Sequence, residues 1–183
     1  MLQHKGTVTI ETPRLILRQA RIEDAEPMFR NWANDAEVTK FLTWPAHGNV
    51  EITKRLLTSW VDSYQKDDYY QWMIVLKEMN EPIGSIMAST VGRAESAHIG
   101  YCIGKRWWHK GIMTEALHAV MDYLFDEAGF NRIEAKHDVN NPNSGAVMKK
   151  CGMRFEGIAR QSDRNNQGIC DLATYGILRS DRK

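Results

Sequence analysis

The sequence predicts a mixed α/β fold, a single domain in which helices pack on one twisted sheet. Two observations predict it. Short runs with the twofold alternation of strands interchange with longer runs at helical spacing, and no repeat, low-complexity stretch or linker interrupts them. The length of 183 residues suits one domain, assigned to residues 1–183 with a core over about 10–178. A chain of this size buries about two-thirds of the surface its unfolded form exposes.

Residues 14–19 (RLILRQ) are the first expected strand, with Leu15 and Leu17 alternating with Ile16 and Arg18. Asp24 is placed to cap a helix reaching about Ala33, with Pro27 in its tolerant first turn. Asn49 precedes a second amphipathic helix marked by Ile52, Leu56, Trp60 and Tyr64. A hairpin follows, with strands over 71–76 and 83–89 and a turn at Met79-Asn80-Glu81. Residues 97–103 (AHIGYCI) are the next strand. It leads through Gly104-Lys105-Arg106 into 107–113, and 114–128 is a long helix closed by Gly129. A short strand over 132–137 and a short helix over 143–151, stopped by Gly152, come next. Final strands over 153–161 and 172–178 flank a polar loop, 162–171.

Composition narrows the function classes. Hydrophobic residues make up 43% and charged residues 26%, ordinary for a globular protein. A formal net charge of +1 argues against a dedicated nucleic-acid binder, which needs a cationic excess. Residues 1–10 lack the apolar core of a secretory signal, and no apolar run approaches the roughly 18 residues of a membrane span. Cys102, Cys151 and Cys170 form neither a CxxC pair nor a metal-ligand spacing, so no metal is expected. Reduced thiols in the cytoplasm are the simplest reading.

The chemistry concentrates between Trp108 and Thr114. There a strand feeds a loop with Lys110 and Gly111, and the loop becomes the first turn of the long helix. The leading N–H groups of a helix have no internal partner and carry the positive end of its dipole. Such a turn binds phosphate oxygens through backbone amides. Gly111 lets a ligand approach the backbone, or simply permits a tight turn; both readings stay open on the loop alone, which matches neither GxxxxGK[ST] nor GxGxxG.

Residues 107–116 (WWHKGIMTEA) resemble the pyrophosphate-binding motif of the GNAT acetyltransferase superfamily, and more narrowly its ribosomal-protein alanine/serine N-acetyltransferase branch. Three further segments match in order: 12–18 (TPRLILR), then Asn141-Pro142-Asn143-Ser144 with Val147, Lys150 and Gly152-Met153, and finally Phe155-Glu156-Gly157 with Gly168, Asp171 and Tyr175. The resemblance covers residues 10–178. Departures are Trp108 and Met113 at the ends of the loop motif, His109 where a small residue is common, and Met148 where many relatives carry a tyrosine general acid.

The resemblance implies a mostly antiparallel sheet with one splayed parallel strand pair, flanked by helices. It implies acetyl-CoA as cosubstrate, lying between the strands at 97–103 and 132–137. A backbone N–H near Cys102 or Ile103 is expected to bond the acetyl carbonyl. The amides of Trp108, His109, Lys110, Gly111, Ile112, Met113 and Thr114 are expected to meet the phosphates, and Asn141 the pantetheine arm. Matching segments place the branch's acid and base at Ser144 and Asp163. Ser144 is a proton donor to the thiolate or a helix cap, and Asp163 a base or a solvated carboxylate. Asp138 is a fallback base, Glu115 is expected to favour the helix dipole, and His98 and His137 are expected to be structural. The expected acceptor is a protein N-terminal α-amine. Small amines and a non-catalytic acyl-CoA-binding module are the alternatives. No nucleic-acid or membrane partner is expected, and a homodimer through the C-terminal strands is compatible with the sequence.

Overall fold

A computed structural model describes residues 2–182; residues 1 and 183, the ends of the expected domain, lie outside the described residues. The strands are β1 (Ile10–Glu11), β2 (Leu15–Arg18), β3 (Tyr70–Leu76), β4 (Glu81–Val91), β5 (Ser96–Ile103), β6 (Arg132–Asp138), β7 (Arg154–Asn165) and β8 (Gly168–Leu178). They form one sheet in the order β1-β2-β3-β4-β5-β6-β8-β7, antiparallel throughout except for the parallel pair β5–β6. The helices are α1 (Ala25–Met28), α2 (Ala36–Thr39), α3 (Val50–Ser63), α4 (Ile112–Asp126) and α5 (Pro142–Lys150). The expected fold class is the one observed.

Both faces of the sheet are covered, which explains the unbroken apolar run in β3. Tyr70, Trp72, Ile74 and Leu76 point into a core with Leu117, Val120 and Leu124 of α4. Met73 and Val75 point the other way, into a second core with Met28, Trp32 and Leu57. A strand buried on both sides loses the polar alternation that marks a half-exposed one.

The Asn49 cap forms as expected, its side chain accepting from the Ile52 N–H at 3.2 Å. Gly129, at φ +82°, ends the run after α4 in the left-handed region. Three expectations are corrected. The helix expected over 24–33 is broken into a 3-10 turn (Ile22–Asp24), α1 and a π turn (Phe29–Ala33). Asp24 caps with no side-chain bond to the following helix; its carboxylate instead accepts from the Arg21 N–H and, bidentately at 2.8 Å, from Arg18. The long helix starts at Ile112, two residues before its periodicity suggests. The polar loop over 162–171 is mostly strand, because β7 and β8 pair from Asp163↔Cys170 to Asn165↔Gly168. Hairpin pairing satisfies backbone groups whatever the side chains, so a polar ribbon leaves no hydrophobic signature.

Candidate active site

The parallel pair β5–β6 is hydrogen-bonded only from Ser96↔Arg132 to Ile99↔Ala135. Beyond that point β5 runs on to Ile103, still paired with β4 through Gly84, while β6 runs on to Asp138. The strands therefore part, and the backbone of residues 100–103 on the β6 side faces a gap. A cavity of ≈ 450 Å³ opens there. Tyr101, Cys102 and Ile103 form one wall, Asn141 before α5 and Ser144 on it another, and Trp108, His109 and Gly111–Thr114 the end. Phe41 and Leu42, after α2, close the remaining side. Lys110 is absent from this lining; it is exposed, and its carbonyl accepts from Arg14 Nη1 at 2.9 Å.

The loop before α4 is shaped by two left-handed residues, His109 at φ +61° and Gly111 at φ +71°. A Cβ on Gly111 would meet only Arg14 Nη2, at 3.7 Å, so the protein itself leaves this side of the backbone open. Gly111 is also the residue that caps α4, and it provides no side-chain acceptor. Gly111 to Thr114, at the start of a 15-residue helix, line the cavity, so the positive end of the helix dipole lies at it. Backbone amides, one glycine and an apolar slot beside an opened strand fit the pyrophosphate and pantetheine of acetyl-CoA. Trp108 finishes the strand end, its indole N–H donating to the Ile103 carbonyl at 2.9 Å.

Glu115 does more than complement the dipole. Its carboxylate accepts from Thr12 Oγ1 at 2.6 Å, the Arg14 N–H at 3.0 Å and Arg14 Nε at 2.6 Å, tying the β1–β2 turn to α4. Partial burial disfavours its charge, but the donors of Thr12 and Arg14 outweigh that and hold the carboxyl below its ordinary value. A depressed folded-state pKa adds stability that is full above the unfolded value near 4.5 and is lost as pH falls through the folded value. Glu115→Gln should therefore cost about 2 kcal/mol at pH 7, the scale of hydrogen bonds to a charged group. The deficit against wild type should shrink as denaturation is repeated below pH 4.5. A deficit independent of pH would remove the ionised tie.

On α5, Ser144 Oγ donates to the Tyr101 hydroxyl at 3.2 Å, and Tyr101 donates to the Ser144 carbonyl at 2.9 Å. Burial pushes the Tyr101 phenol well above its ordinary pKa. Asp163 stands on the exposed face of β7, its Oδ1 accepting from the Arg164 N–H at 2.8 Å, and it lines neither cleft. Asp138 is 5% exposed and lines a smaller adjoining cleft of ≈ 140 Å³ together with Tyr101 and Ser144. It accepts from the Asn140 N–H at 2.8 Å and from Asn165 Nδ2 at 2.6 Å. His98 lines the same cleft, its pKa lowered by burial and by Lys136. His137 Nδ1 donates to the Asp138 carbonyl at 2.8 Å, and its Nε2, against Gly145, is buried with no hydrogen-bond partner among the described residues. Met148, where relatives carry tyrosine, is buried.

Sequence reading missed Tyr101, Asn165 and Asn166. Tyr101 adjoins Cys102, but nothing in the local pattern says its hydroxyl reaches α5. Asn166, at the β7–β8 tip, braces the wall around Phe41 and Leu42: its Nδ2 donates to the Thr39 and Trp44 carbonyls, both at 2.8 Å, and its N–H to Leu42. Partners more than a hundred residues away leave no local signal.

A family model described as an acetyltransferase (GNAT) domain matches residues 14–154. The uncharacterized N-acetyltransferase YoaA of Bacillus subtilis (strain 168) is 31% identical over 171 residues, 93% of this chain and 96% of YoaA. The ribosomal protein uS5-alanine N-acetyltransferase of Escherichia coli (strain K12) is 35% identical over 69 residues, 38% of this chain and 36% of that protein. The crystal structure of the ribosomal-protein-S5-alanine acetyltransferase from Vibrio fischeri matches with a TM-score of 0.83 at 23% identity, over 96% of this chain and 99% of that one. With its parted strands, its glycine-capped helix and this match, the chain belongs to the GNAT acetyltransferase family and is an acetyl-CoA-dependent N-acetyltransferase.

Proposed function

We propose that the acceptor is the α-amine at a protein N-terminus. The observation that carries this is the charge of the clefts. Lys40 and Lys150 line the larger cleft, and Lys136, which pairs with Glu134, lines the smaller, against one carboxylate, Asp138, that no ion pair engages among the described residues. Glu37, the other acid, pairs with Lys105. Such a lining repels a polyamine and accommodates one ammonium followed by neutral or acidic chain. The local similarity to an enzyme named for a ribosomal-protein alanine supports the same class.

Acetyl-CoA supplies the acetyl group as a thioester. The amides of residues 108–114 hold its phosphates, Asn141 lies along the pantetheine arm, and a β5 amide at Cys102 or Ile103 bonds the acetyl carbonyl. An α-amine has a pKa near 8, so roughly a tenth is neutral at pH 7. A lysine near 10.4 is neutral in only about 1 part in 2,500, which adds about 4–5 kcal/mol. The clefts hold no strong base suited to that larger task. Asp138, beside Ser144, is better placed than the exposed Asp163 to take the amine proton, directly or through water. Ser144, which lines both clefts, is the group we assign to the sulfur's proton. The reaction sits in the cytoplasm, where Cys102, Cys151 and Cys170 remain the free thiols observed.

Thiol release from acetyl-CoA, measured against N-terminal peptides, polyamines and aminoglycosides with products checked by mass, tests the acceptor. Acetylation of a peptide α-amine is expected. Acetylation of small amines alone would overturn it.

A further inference from the structure

We propose that Tyr101 is a positioning residue for acetyl transfer, a strut across the parted strands that holds the Ser144 hydroxyl toward the cofactor cleft. The inference rests on the role for Ser144 given above and adds a residue to it. Tyr101 lies two positions past Ile99, the last β5 residue bonded to β6. At that point the sheet no longer fixes the distance between β5 and the elements that follow β6. The Tyr101 phenol spans the gap. It donates to the Ser144 carbonyl at 2.9 Å and accepts from Ser144 Oγ at 3.2 Å, so one hydroxyl holds both the backbone and the side chain of Ser144. Both residues line both clefts, so this bond stands where cofactor and acceptor spaces meet.

A serine in the first turn of a helix otherwise has competing partners, because its hydroxyl turns among three staggered positions and bonds readily to nearby backbone carbonyls. The Tyr101 bond selects one position. Tyr101 is not itself the proton source. Its proton is already given to the Ser144 carbonyl at 2.9 Å. In the overall reaction the amine nitrogen loses one proton and the leaving sulfur gains one. When the Ser144 hydroxyl turns its proton from Tyr101 to the sulfur, it receives another from the amine side in the same step, and Tyr101 keeps its own.

The test is a double-mutant cycle of Tyr101→Phe, Ser144→Ala and both together, read as kcat with a peptide acceptor, acetyl-CoA affinity by calorimetry, and the Ser144 rotamer in crystals. Tyr101→Phe should lower kcat about tenfold, the scale of a modest misplacement, and leave acetyl-CoA affinity within about twofold. In the Ser144→Ala background it should change kcat by less than about twofold, since contacting residues that act as a unit are not additive. The Ser144 side chain should leave its wild-type rotamer in Tyr101→Phe. Full multiplication of the two effects, a change confined to acetyl-CoA affinity, or an inert Ser144→Ala would each overturn the strut. A failed acceptor assignment shows differently, as wild-type protein that acetylates no peptide. The rotamer then still decides: retained in Tyr101→Phe, it overturns the proposal, and displaced, it supports it.

Discussion

Gly111→Asp is expected to weaken acetyl-CoA binding at least about a hundredfold, measured by calorimetry. Gly111 lines the cavity at φ +71° directly before α4, and a Cβ there would meet only Arg14 Nη2, at 3.7 Å. Two costs add. Holding a residue with a Cβ in the left-handed region costs about 1–2 kcal/mol, which appears chiefly as lost stability. A carboxylate about 4 Å from a bound phosphate costs about 4 kcal/mol at an effective dielectric near 20, less with solvent screening. A hundredfold loss corresponds to about 2.7 kcal/mol, inside that range. Gly111→Ala separates the two, since it carries the strain without the charge and should lose only a few-fold in affinity. Unchanged binding by Gly111→Asp would remove the loop from the cofactor site.

Trp72→Ala should destabilise the fold by about 4 kcal/mol, in the range of a buried tryptophan truncation. Trp72 is fully buried and stacks on Tyr70 at 6.0 Å, with Tyr123 of α4 edge-on at 5.8 Å. Its indole N–H donates to the Val8 carbonyl at 2.7 Å, so truncation opens a cavity and also strips a donor from that carbonyl. At about 2–4 °C per kcal/mol for a chain of this size, the midpoint should fall by about 8–16 °C. Denaturant unfolding should show the same loss with an unchanged slope. A loss below about 1 kcal/mol would mean that the α4 face of the sheet is not the tight core its geometry implies.

The two substitutions probe features of different legibility. The turn around Gly111 was readable because the strand, glycine and helix that form it are consecutive in the chain. The same holds for the Asn49 cap and the hairpin of β3 and β4, which depend on neighbours a few residues away. Asp24 misled because an acid before a helical run reads as a cap, while its partner Arg18 lies six residues back in a strand. Residues 162–171 misled because pairing with another strand, rather than side-chain pattern, made them β.

By itself, then, the sequence determined the order of elements and the strand–glycine–helix turn before α4, both of which follow from local periodicity and backbone geometry. Only the tertiary structure decided where β5 and β6 part, that Tyr101 reaches Ser144, and that the β7–β8 tip braces the cleft wall through Asn166. It also placed Asp138, rather than Asp163, beside Ser144. These are meetings of side chains from distant segments. Their geometry comes from the twist and register of the whole sheet, which no short window of sequence contains.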